Sequence, residues 1–229
     1  MKLIYFFYLI CSIYILYCIY SKEMDPSPAF DVSKLKLSKD IDQIMIVVPE
    51  SSKSFSAKFY FYVKNEETWE EYIKVDAHIG KNGLGKRIEG DAKTPVGAYI
   101  FNKYFGVAEN PGIKLPYIQL NEYYYWDCDS DSDMYNQFVD IRNYTDFDKS
   151  LSEHLIDEQM AYKYAMNMNY NEEGIPHKGC AIFLHCYTER PYTAGCVAIP
   201  EADMLKVIKK VNQKCVIIID LAENIYKLY

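Results

Sequence analysis

The chain has 229 residues, half of them apolar, which supplies one sizeable core but not two ordinary enzyme domains. A net charge of −7 without a Lys/Arg stripe argues against a nucleic-acid partner. The 23 tyrosines suit a half-exposed sheet surface, where the ring packs and the hydroxyl stays wet.

Lys2 precedes an apolar and aromatic run, Leu3 to Tyr20, with no charge before Lys22. A secretory core is shorter, and a spanning helix needs about 20 residues. Residues 1–21 are therefore expected to be a signal peptide or an N-terminal membrane anchor. Lys2 before the run, and Glu23 and Asp25 after it, place the remainder on the exported side: secreted, or held at the outer face of the membrane by residues 3–20. Residues 22–40 read as a linker and 41–229 as the folded domain.

Gln43 to Val48 predicts a short strand, ended by Pro49. Ser54 to Lys64 alternates (Phe55, Ala57, Phe59, Phe61, Val63); Lys64 to Glu67 reads as a hairpin turn and Trp69 to His78 as the return strand. Gly80, Gly83, Gly85, Gly90 and Gly97 mark turns before another strand over 98–103. Residues 106–148 read mostly as loop, and 152–168 as a helix with Leu155, Met160, Tyr164 and Met168 on one side. Ala181 to Leu184 is an apolar strand leading into His185. Glu201 to Lys210 reads as an amphipathic helix with Met204, Leu205 and Ile208 inward, and 215–220 as a buried strand. The pattern predicts a mainly β domain with peripheral helices.

Seven cysteines stand at 11, 18, 128, 180, 186, 196 and 215, five of them beyond the leader. In an oxidising compartment an odd count leaves at least one unpaired thiol, reactive or simply buried. Cys128, Cys180, Cys186 and Cys215 are disulfide candidates with open connectivity.

The segment from His185 to Cys196 supplies a base and a nucleophile separated by ten residues. A nearby imidazole lowers a thiol's pKa or accepts its proton, so an activated Cys196 is expected to alkylate below the pH an ordinary thiol requires. Gly195 leaves the backbone beside the thiol uncrowded, and its amide and that of Cys196 are candidate oxyanion donors. Spacing alone equally allows a satisfied histidine at a strand end and a core thiol.

Ala181-Ile182-Phe183-Leu184-His185 and Thr193-Ala194-Gly195-Cys196-Val197-Ala198-Ile199-Pro200 resemble the catalytic signature of the YkuD-type L,D-transpeptidases, in the branch written IFLH, a short loop, then TAGCVA. Gly80 to Gly83, Glu89-Gly90-Asp91 and Thr94-Pro95-Val96-Gly97 resemble an upstream block of that family. Tyr125 to Asp129, Tyr135-Asn136 and Tyr170-Asn171 are similar to further stretches of the branch. The resemblance spans Ala77 to Val211 in matching order.

It implies a β-sandwich-like catalytic fold with Cys196 as nucleophile, His185 as general base, Thr193 and Gly195 in the substrate and oxyanion loop, and Glu89, Asp91, Thr94 and Gly97 shaping turns. The wider family carries a second His before the Gly and an Arg or Asn two residues after the Cys; here these are Ala194 and Ala198. The implied partner is the peptidoglycan stem peptide: thiolate attack after its diamino acid releases a terminal D-alanine and leaves a thioester for an amine or water. Two alternatives keep the fold, an L,D-carboxypeptidase and a non-catalytic wall-binding module.

No cofactor or metal is implied. The glycines from Gly80 to Gly90 form no nucleotide loop, and His177, Cys180, His185 and Cys186 match no common zinc template. His78, a rival base, has no other catalytic residue type beside it in sequence.

Overall fold

The computed structural model describes residues 30–37 and 40–229. The apolar run from Leu3 to Tyr20 and most of the linker lie outside the described residues. The chain divides into residues 1–31 and a compact unit, residues 32–229, which holds everything below. No helix among the described residues is long and apolar enough to cross a membrane.

Ten strands form one large curled sheet. Its order is β4 (Gly97–Ile100), β13 (Cys215–Ile219), β1 (Gln43–Pro49), β2 (Ser56–Asn65), β3 (Thr68–His78), β12 (Val197–Ile199), β11 (Phe183–Cys186), β10 (Ala165–Asn167), β5 (Lys103–Gly106) and β6 (Tyr117–Gln119). Three short strands, β8 (Phe138–Asp140), β7 (Tyr124–Trp126) and β9 (Glu153–His154), make a second sheet. The two described α-helices are α1 (Glu201–Lys210) and α2 (Ala222–Leu228). The mainly β, β-sandwich-like expectation therefore holds.

The strand pattern follows from burial. β1 lies between β13 and β2, and its unbroken apolar run matches a strand covered on both faces. β2 sends Ala57, Phe59, Phe61 and Val63 into the main core, while Phe55 ahead of it stays exposed. Tyr60 and Tyr62 occupy its other face, stacked at 6.3 Å and buried as well, so these tyrosines are core rather than half-wet surface. The hairpin to β3 turns at Glu66, whose φ of 54° is left-handed. In α1, Glu201 and Asp203 open the helix and Lys209 and Lys210 close it, complementing the dipole. It buries Met204, Val207 and Ile208, leaving Leu205 at the margin.

The helix expected over 152–168 is absent. That stretch folds as β9, two single 3-10 turns (Leu155–Asp157, Ala161–Lys163) and β10. Ala165, Met166 and Asn167 are buried between β5 and β11, and pairing on both sides satisfies their backbone groups better than an isolated helix would. Met160 is 55% exposed, so the four apolar side chains share no face.

Candidate active site

The site comes from the parity of two parallel strands. β11 pairs with β12 so that Leu184 meets Val197 and His185 meets Ala198. Leu184, Cys186, Val197 and Ile199 face the main core. Neighbouring residues on a strand point to opposite faces, so Phe183, His185, Cys196 and Ala198 share the other side. His185, Cys196 and Ala198 line one cavity of about 730 Å³.

Around this pair lies a second, aromatic cluster. Phe183 meets Trp126 at 4.8 Å, Phe105 at 5.2 Å and Tyr162 at 5.5 Å, and Tyr162 stands edge-on to His185 at 5.7 Å. The rings shield the imidazole from water, and burial pushes its pKa down to about 4. His185 Nδ1 sits 2.8 Å from the carbonyl oxygen of Cys186. A carbonyl only accepts, so the proton resides on Nδ1 and Nε2 keeps its lone pair.

The thiol of Cys196 donates to the carbonyl of Ala181 at 3.2 Å, and its sulfur accepts the N–H of Phe183 at 3.3 Å. Among the described residues the thiol and imidazole are not hydrogen-bonded to each other. Burial pushes the thiol up to about 12; the Phe183 amide and the Lys86 ammonium pull the other way, and Glu153 adds to the rise. Desolvation of both groups favours their uncharged forms, thiol and neutral imidazole, over the ion pair that an activated thiolate requires.

Thr193 builds the turn that leads into Cys196. Its hydroxyl donates to the Cys196 carbonyl at 2.7 Å and accepts the Gly195 N–H at 3.1 Å. The Gly195 amide is thereby engaged within the turn, which leaves the Cys196 amide as the backbone candidate at the thiol. A Cβ on Gly195 would lie 2.9 Å from the Lys93 carbonyl oxygen, at a φ of +152°.

The upstream block braces this turn. Thr94 is fully buried; its hydroxyl accepts the Gly80 N–H at 2.8 Å and donates to the Cys196 carbonyl at 3.3 Å. Asp91 closes its own loop by accepting the amides of Arg87 at 2.8 Å, Ile88 at 3.2 Å and Lys93 at 3.1 Å. Burial raises its pKa, but these bonds and Lys86 at 3.1 Å outweigh that and hold the carboxyl below its ordinary value. Gly97 begins β4, away from the thiol in sequence and sheet order.

The remaining motif residues carry the cavity wall. Asn136 Oδ1 accepts Trp126 Nε1 at 2.9 Å and the Ala181 amide at 3.0 Å, while Nδ2 donates to the carbonyls of Tyr170 and Asn171, both at 2.8 Å. It fixes Ala181, whose carbonyl holds the thiol and whose φ of 54° needs such support. Cys128 and Cys180 form a disulfide one residue from Ala181, which answers the open connectivity; Cys186, Cys196 and Cys215 are free and buried. Glu89 accepts the Tyr135 hydroxyl at 3.2 Å beside that bridge.

Among the described residues the one group spaced like metal ligands is Glu89, Cys128 and Cys180, and two of its three members are spent in the disulfide. The zinc set drawn from sequence is not assembled: Cys180 is oxidised and His185 Nδ1 is bound to a carbonyl. His78 stacks on Tyr187 at 4.1 Å and does not line the cavity.

Three of the cavity residues to which sequence reasoning gave no role bear on the thiol or the imidazole. Lys86 is a nearly buried cation, its side chain 4% exposed, near the turn that leads into Cys196. Glu153 and Tyr162 also line the cavity, but both lay in a stretch read as helix, where nothing marked them.

Solved structures that match the chain include Pgp2, described as the helical cell shape determining protein of Campylobacter jejuni (18% identity, TM-score 0.44, 83% of this chain and 51% of that one). A single-substitution variant of the same protein matches at 17% identity and TM-score 0.46, over 83% of this chain and 51% of that one. Bd1075 of Bdellovibrio bacteriovorus matches at 17% identity and TM-score 0.42, over 81% of this chain and 50% of that one. The chain spans about half the length of these proteins. No curated protein sequence matches it. The model of the L,D-transpeptidase catalytic domain family, YkuD, matches residues 44–219, and the chain belongs to that family.

Proposed function

We propose that this protein is an L,D-transpeptidase that transfers acyl groups between peptidoglycan stem peptides through a thioester on Cys196. The observation that supports this most is that His185 on β11 and Cys196, just before the parallel strand β12, face one cavity, with Nε2 of the imidazole free to accept a proton.

In acylation the thiol leaves the Ala181 carbonyl, and its proton passes to His185 Nε2 as sulfur attacks the carbonyl carbon after the diamino acid. The pair starts neutral, so proton transfer accompanies attack rather than preceding it, as in Ser–His catalysis. The Cys196 amide, which the turn leaves unengaged, would donate to the developing oxyanion. Collapse breaks the C–N bond, and His185 returns the proton to the departing D-alanine amine. An acceptor amine then attacks the thioester, the C–S bond breaks, and the thiol is restored. Residues 1–21, as signal or anchor, would deliver the domain to the wall side of the membrane.

Ala194 and Ala198 line the cavity where the wider family has larger polar groups, leaving room beside the thiol for substrate. A second reading, a wall-binding module without catalysis, draws on the thiol pKa pushed up to about 12. The test is incubation of residues 30–229 with a tetrapeptide stem ending in a diamino acid and D-alanine. Released D-alanine and a thioester mass on wild type, both lost in Cys196→Ala, support the enzyme; peptide binding without release supports the module.

A further inference from the structure

Glu153 takes no part in the acylation steps above, yet it lines the cavity that Cys196 and His185 share. β9 holds it there by pairing Glu153 with Trp126 of β7. The Tyr162 hydroxyl donates to Glu153 Oε1, and the ring of that tyrosine stands against His185 at 5.7 Å. A carboxylate, a phenol and the imidazole thus adjoin one another along one wall. Asp157 and Glu158, from the same segment, also line the cavity, whereas its cations, Lys81, Lys86 and Arg190, come from other loops. Among the described residues no cation pairs with Glu153. Glu153 is half-buried but its carboxyl is strongly desolvated, and a desolvated carboxylate with a single hydrogen bond and no counter-charge carries a cost that a cationic ligand group offsets.

We propose that Glu153 is the acceptor-binding residue of this site: it receives a primary ammonium group beside the Cys196 thioester and takes one proton from it. The proposal rests on the acyl-transfer reading above and assigns its second half. The Glu153 carboxylate removes one proton from R–NH3+, and the freed lone pair attacks the thioester carbonyl. The C–N bond forms, the C–S bond breaks, and the second amine proton passes through His185 to the departing sulfur. Thioester and ammonium become amide and thiol, with one proton left on Glu153 for solvent.

The electrostatics suit the role. Burial raises the Glu153 carboxyl to about 7, the Tyr162 hydrogen bond pulls it down, and Glu158 adds to the rise. A carboxyl titrating there exchanges protons readily at neutral pH. Water needs no such charge, so Glu153 tilts the outcome toward amine over hydrolysis.

The test uses the tetrapeptide donor with D-methionine as the amine probe, measuring the ratio of D-methionine product to hydrolysed tripeptide. In Glu153→Gln the thioester still forms by intact mass, and the ratio falls about tenfold or more, the worth of one charge-assisted hydrogen bond. The wild-type ratio rises with pH through about 7, beyond the titration of the free amine, and this rise disappears in the variant. Tyr162→Phe keeps the carboxylate but removes its hydrogen bond, so the rise moves to higher pH. An unchanged ratio in Glu153→Gln, or an unshifted profile in Tyr162→Phe, overturns the proposal, as does an equal loss of both products. A wild type that forms no thioester overturns the acyl-transfer reading itself, and this proposal with it.

Discussion

The hydroxyl of Thr94 donates to the carbonyl oxygen of Cys196 at 3.3 Å, across 102 positions of sequence. Through this bond the upstream turn block bears on Cys196, because the same hydroxyl accepts the Gly80 amide at 2.8 Å. Thr94→Val retains the shape and strands a buried N–H, which costs about 1–3 kcal/mol. The expected result is a lower urea midpoint with an unchanged m-value, together with slower acylation. A midpoint equal to wild type would mean that the Gly80 amide finds another partner.

Gly195 is the second point of control over the thiol. Gly195→Ala places a Cβ 2.9 Å from the Lys93 carbonyl oxygen, a backbone atom that yields only if the loop moves. Acylation is expected to fall by about an order of magnitude or more, since small misplacements of a nucleophile are costly. Acylation at the wild-type rate would contradict the tight approach of these two loops.

Alkylation of Cys196 should be slow at neutral pH. With the thiol pKa pushed up to about 12 by burial, the thiolate fraction of the resting site grows only on the alkaline side. Iodoacetamide labelling, read by mass at Cys196, should keep rising past pH 9 without a plateau near neutrality. A plateau below pH 7 would reveal a preformed thiolate–imidazolium pair instead.

His185 makes the fold acid-sensitive. Its folded pKa of about 4 lies below the ordinary 6.5, so the unfolded chain binds more protons between these values. Stability is therefore lost as pH falls through 6.5 toward 4, by about 3 kcal/mol for this group. Glu153 acts oppositely as pH falls from about 7, because its folded pKa is raised. Comparing His185→Gln with wild type by urea denaturation isolates the histidine part: the variant's stability should fall less between pH 6.5 and pH 4. Parallel curves would show that His185 titrates alike in the folded and unfolded chain.

The disulfide between Cys128 and Cys180 closes a separation of 52 residues and fixes the backbone next to Ala181. By chain entropy it contributes about 4 kcal/mol. Cys128→Ser with Cys180→Ser should lower the thermal midpoint and weaken the hold on the thiol, with slower acylation at temperatures where the variant is folded. An unchanged midpoint would contradict this.

Much of the site was legible because its parts are local. His185 lies in a short apolar strand, β11, which runs from Phe183 to Cys186 rather than stopping at Leu184, and Cys196 follows a small-residue turn, so both elements could be read nearly in place. The β2–β3 hairpin and α1 followed for the same reason, each carrying its own alternation or helical period. What escaped depends on pairing between distant segments. Ala165 to Asn167 become a strand only because β5 and β11 flank them, and Glu153 reaches the cavity only because β9 docks on β7. Spacing suggests an imidazole near a thiol but is silent on how dry both are, so the burial that disfavours their charged forms could not be read from it.

The central claim is that Cys196 is an acyl acceptor with His185 as its base. Its most direct test is intact-mass spectrometry of residues 30–229 after incubation with a carbapenem, beside Cys196→Ala and His185→Ala. One covalent adduct is expected on wild type, none on Cys196→Ala, and formation about 10²–10⁴-fold slower on His185→Ala. A wild-type protein whose Cys196 is shown to be reduced and yet takes no adduct, or an adduct that persists on Cys196→Ala, would contradict it.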